Sequence, residues 1–73
     1  MVTRIFRRFF VHRDVDKTGT TGTGRVAEGV VFSGGKTVIC WSNNDSVVVH
    51  DSLAEAESIH CHGGATRFVM IDD

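Results

Sequence analysis

Cysteine, net charge and long apolar runs are all scarce in this sequence, and each shortage narrows what the chain can be. Only two of the 73 residues are cysteines, Cys40 and Cys61, and neither belongs to a Cys-x-x-Cys pair. That excludes a disulfide scaffold, although a single bridge between the two stays open. Cys40 lies in an apolar stretch and reads as a small core residue. The formal net charge is -1, far from the basic footprint that general nucleic-acid binding needs. No apolar run approaches the length of a membrane span. The first ten residues are broken by Arg4, Arg7 and Arg8, unlike a signal peptide. A soluble, cytoplasmic protein without a membrane partner is expected. No repeat or linker is visible, so residues 1–73 are read as one domain. A chain this short buries only about 60 % of its unfolded surface, so a second copy or a ligand would help to hold it together.

The charge that is present is unevenly spread. Residues 1–25 carry six of the eight basic side chains and only two of the nine acids. One edge of the fold is therefore expected to be positive, or those charges are solvated strand faces. Within this region lies the run Asp16-Lys-Thr-Gly-Thr-Thr-Gly-Thr-Gly-Arg25. Its glycines permit unusual backbone angles and close approach. Lys17 and Arg25 flank threonine hydroxyls, and the amides around Thr21, Gly22 and Thr23 could form an anion-binding concavity. The alternative is a long polar connection with no ligand.

The pattern of apolar runs and turn residues predicts strands over 4–13, 25–33, 37–42, 46–50 and 66–71. Gly34-Gly35 and Asn43-Asn-Asp45 predict tight turns between the middle strands. Gly29 suggests a bulge or bend. Ser52-Leu-Ala-Glu55 matches a capping box that opens a short helix over 53–61, with Gly63 as a left-handed end. The fold class is mainly β: a small bent antiparallel sheet, or an SH3-like barrel, of about five strands with one short helix before the last strand. The first and last strands are placed to pair, and a free edge would invite strand-mediated dimers. The core is expected to hold Phe9, Val11, Val26, Val30, Phe32, Val38, Cys40, Val47, Val49, Leu53, Ile59, Phe68 and Met70.

Chemistry-bearing residues are few. His60-Cys61-His62 offers two imidazoles at the helix end. A zinc site needs a third and usually a fourth ligand, and no spacing here supplies them, so no metal and no cofactor are expected. Histidine titrates near neutrality and could serve acid-base chemistry. A nucleophile or carboxylate pair to work with it is missing, and Ser52 is better used as a cap, so a non-enzymatic role is favoured over a small hydrolase. The better use of His60, His62 and Gly63 is contact with an anion or a base. Trp41, the single tryptophan, is either a stacking platform or plain core packing. Arg13 and Arg67 could meet a phosphate, or be charges on a strand face. The Gly-Thr loop and the 60–64 segment are expected to lie together and line one pocket.

Several segments together resemble a family of very small, mostly uncharacterised bacteriophage and prophage proteins. They are His12-Arg13, Asp16, Gly19, Gly22-Thr23-Gly24, Val26-Ala-Glu-Gly-Val30, Phe32, Gly35, Trp41, Ile59-His60, His62-Gly63-Gly64 and Thr66. Members of that family often read His-Gly-His-Gly-Gly, and Cys61 departs from that pattern. The resemblance implies an accessory protein of the infected host cell that acts by binding. Its partner would be a sequestered nucleotide-like anion, in an anti-defence role, or a host protein that it inhibits or recruits. A homo-oligomer is expected.

Overall fold

Turn chemistry divides the chain into its elements. The computed structural model describes residues 5–14, 23–61 and 65–72. Strand β1 covers Arg7–Arg13, β2 Gly24–Val31, β3 Thr37–Trp41, β4 Val47–His50 and β5 Thr66–Met70. Helix α1, Leu53–His60, lies between β4 and β5. Between β2 and β3 the turn is closed by the Gly35 N–H donating to Phe32 O at 2.8 Å, with Gly35 at φ +106°. Between β3 and β4 the Asp45 N–H donates to Trp41 O at 2.9 Å, and Asp45 itself sits at φ 58°. Asp is among the few residues with a side chain that tolerate this region.

All five strands form one antiparallel sheet in the order β4-β3-β2-β1-β5. The first strand pairs with the last, Phe9 opposite Met70 and Arg13 opposite Thr66. Strands β4 and β5 are the two edges, so of the two architectures read from the sequence the open sheet is the one that forms.

Helix α1 begins as the capping box requires at Ser52, whose Oγ accepts from the Glu55 N–H at 3.1 Å. The return contact differs. Glu55 Oε1 accepts from the Asp51 N–H at 3.1 Å, one residue further back than in a standard box. The helix ends at Cys61, whose N–H donates to Glu57 O. The expected cap Gly63 lies outside the described residues.

The helix packs against β4 and β5 and covers one face of the sheet. Under it lie Phe9, Val11, Val26, Ala27, Val31, Ile39 and Ala56, with Trp41, Leu53, Phe68 and Met70 packed against them. Phe9 and Phe68 stack with ring centroids 5.1 Å apart. The core expected from the sequence is right for Phe9, Val11 and Val26, and half-right for Val30, Val38, Cys40, Leu53, Phe68 and Met70, which are partly buried. It is wrong for Phe32, Val47, Val49 and Ile59, which are half or more exposed. For the strand residues among these the reason is a bulge; Ile59 lies on α1. The β1–β2 register shifts between Val11 and His12, leaving Val26 as the extra residue, so Val26 and Ala27 are both buried. Beyond it Ala27, Gly29 and Val31 face the helix, and Val30 does not. Cross-strand partners share a face, so Ile39, opposite Gly29, is in, and Val38, opposite Val30, is out.

The bulge is thus not at Gly29, which pairs regularly with Phe9 and Ile39. Gly29 is there for room: a Cβ would sit 2.4 Å from Val38 O and 2.5 Å from Phe9 Cζ.

Candidate functional site

Strand alternation and the helix end bring Arg13, Trp41, His50, Glu55 and His60 into one row on the helix-covered side. His50 closes β4 on the covered face, opposite Thr37, and is 7 % exposed. The Ser52 cap then turns the chain so that α1 returns over that face. Glu55, one turn into the helix, and His60, at its end, come back to the same imidazole. His50 Nδ1 lies 3.3 Å from Glu55 Oε1, and His50 Nε2 lies 3.0 Å from His60 Nε2. One tautomer pair satisfies both contacts: His50 Nδ1–H donates to the carboxylate, and His60 Nε2–H donates to the bare His50 Nε2. The His60 ring meets Trp41 edge-on at 5.2 Å between centroids. The Arg13 guanidinium lies 6.0 Å from the Trp41 ring centre. Arg13 is 8 % exposed and donates from Nε to Thr66 Oγ1 at 3.1 Å.

An indole in contact with both a guanidinium and an imidazole suits an anion that carries an aromatic ring. The guanidinium offers a planar fork of donors, the indole offers stacking area, and the imidazole, once protonated, has a second N–H to donate.

Of the residues singled out from the sequence, Arg13, Trp41 and His60 are brought together. Thr23 is exposed and immediately precedes β2. Lys17, Thr21, Gly22, His62 and Gly63 lie outside the described residues, as do the rest of 15–22 and Gly64. The stems of the two expected loops do meet. Asp14 N–H donates to Ala65 O at 2.8 Å, Thr66 N–H donates to Cys61 O at 3.2 Å, and Arg13 pairs with both Gly24 and Thr66. Both segments therefore leave the sheet at the end where Arg13 stands.

Arg25 and Arg67 are not in this row. Both align with His12, on the opposite face. The Arg25 guanidinium sits 4.0 Å from the Phe10 ring centre, and Arg67 Nε lies 3.2 Å from an Asp14 carboxylate oxygen. Cys61, at the helix end, is partly covered, and burial with nearby Glu57 pushes its thiol pKa up, away from the reactive thiolate. His50 and Glu55 are the members that sequence reasoning did not place here. The signal for His50 was its parity with Val48, the covered position of β4.

A depression of about 340 Å³ on the other face is lined by Arg8, Phe9, Glu28, Gly29, Val38, Cys40 and Ile71. None of the residues expected to bind ligand lines it. Among the described residues no group of three or more His, Cys, Asp or Glu is placed to hold a metal, and no helix is long and apolar enough to cross a membrane.

No curated protein and no solved structure matches the chain significantly. The family model described as Acb5 phage protein matches residues 6–72, in agreement with the likeness to small phage proteins carried by the 12–35 and 59–66 segments. Across nearly its whole length, then, the chain belongs to the Acb5 phage protein family.

Proposed function

We propose that this protein is a non-enzymatic phage accessory protein that binds an anionic, nucleotide-like ligand at the Arg13–Trp41–His60 row. In this reading it holds the ligand away from its user in the host cell, which would serve an anti-defence role. The observation that supports it is the convergence of a buried guanidinium, a half-buried indole and an imidazole at the sheet end from which both polar loops depart. Trp41 supplies stacking, worth about 1–3 kcal/mol per base. Arg13, and His60 as imidazolium, supply donors to phosphate.

Thermal melting against a panel of linear and cyclic nucleotides tests the reading. A ligand present at about a hundred times its Kd adds roughly 2.7 kcal/mol, on the order of 10–20 °C in a domain of this size. Trp41→Ala and Arg13→Lys should each lower the affinity at least tenfold by isothermal titration, and the ligand should be recovered intact. Affinity should rise as pH falls, because an anion prefers imidazolium over imidazole at His60, whose neighbours are His50, Glu55, Trp41 and Arg13. No shift with any nucleotide would refute ligand sequestration, and a chemically altered ligand would mark the protein as a hydrolase.

A further inference from the structure

Among the described residues, α1 covers one face of the sheet and nothing covers the other. On the uncovered face the register aligns Val49, Val38, Val30 and Arg8 in one row, and Val47, Cys40, Glu28, Phe10 and Val69 in the next. Val47 and Val49 are 60 % and 61 % exposed. The sheet and α1 already make the two packed layers of a small domain, and among the described residues no further element lies over this second, apolar face. The segments outside the described residues contain only Met1, Val2 and Val15 as large apolar residues.

We infer that the uncovered face is the interface of a homodimer, packed sheet against sheet on a second copy of this chain. Five strands about 4.8 Å apart, each run of about five residues at 3.3 Å, give a flat face of roughly 400 Å². The exposed Phe6, Phe32 and Ile71 extend its rim towards the roughly 600 Å² per partner at the lower end of specific interfaces. The charge on the face suits a copy of itself. Arg8 is neutralised by Asp72, and Arg67 by Asp14. Glu28 and Arg25 remain, one of each sign and three residues apart on β2, with no ion pair among the described residues. A two-fold axis passing between them sets each Glu28 against the partner's Arg25, as an isologous contact requires. Two aligned sheets at about 10 Å would bury the valine rows of both copies.

Sedimentation equilibrium at about 100 µM decides the matter. The wild type should run near 16 kDa, twice the 8.0 kDa of the chain. The double variant Val47→Glu/Val49→Glu, at positions open to solvent in one copy, should run at 8.0 kDa with an unchanged circular dichroism spectrum. Arg25→Glu should weaken association at least tenfold, and adding Glu28→Arg should restore it. A monomeric wild type overturns the inference, as does a valine variant that folds and still dimerises. If the valine variant fails to fold, the charge pair reads the same surface, and a reversed double no tighter than the single change overturns it.

Discussion

Gly29 carries more of the fold than its size suggests. The Phe9 ring and the Val38 carbonyl occupy the space its side chain would need, and neither can retreat, since one is core and the other backbone. Gly29→Ala should cost about 2–3 kcal/mol, the upper range for overpacking, measured by urea unfolding. Gly35→Ala, in open space but at φ +106°, should cost only about 1 kcal/mol, from backbone strain alone. Asp72 is a second test at this scale. Its carboxylate accepts from the Arg8 side chain at 2.9 Å and from the Arg8 N–H at 2.8 Å, and these bonds hold its pKa down to about 2. A depressed carboxylate stabilises the fold above its unfolded pKa, near 3.9, and that contribution fades as pH falls through the folded value. Asp72→Asn should therefore melt below the wild type at pH 5–7, with the gap closing between about pH 4 and pH 2. Because the pair is exposed, added salt should shrink the gap.

At the scale of elements, the strands and the helix were legible because their punctuation is chemical. Gly35 and Asp45 both take the positive φ their turns need, and Ser52 caps as its position suggests. Ser52→Ala should cost about 1 kcal/mol and lower the melting temperature by several degrees, read by circular dichroism. Which face each strand buries was not legible. Val38-Ile-Cys40 and Val47-Val-Val49 are apolar throughout, so alternation gives no sign there, and the bulge at Val26 reverses the sign that β2 does carry. Val30, Val38, Val47 and Val49, all assigned to the core, do share one face; it is the one the helix leaves open. The candidate site was legible in part for a related reason. Arg13, Trp41 and His60 stood out by residue type, whereas His50 reads as the polar end of a valine strand until α1 folds back and sets Glu55 and His60 against it.

At the scale of the whole molecule, the sheet order joins the ends of the sequence. Strand β1 is flanked by β2 on one side and by β5 on the other. Its most buried residues, Phe9 and Val11, lean on Met70 and Phe68 of the last strand. A chain cut after residue 64 should therefore be unfolded by circular dichroism. The same topology governs when the protein can exist at all. During synthesis the β2–β3–β4 meander and α1 are complete while β1 still lacks one of its two neighbours, and the bonds that seat it come from β5, the strand after α1. Folding is thus deferred until β5 has been made, because the β1–β5 pairing is long-range in sequence and closes slowly. Until then an unfinished copy shows a bare strand edge to every other unfinished copy on the same messenger.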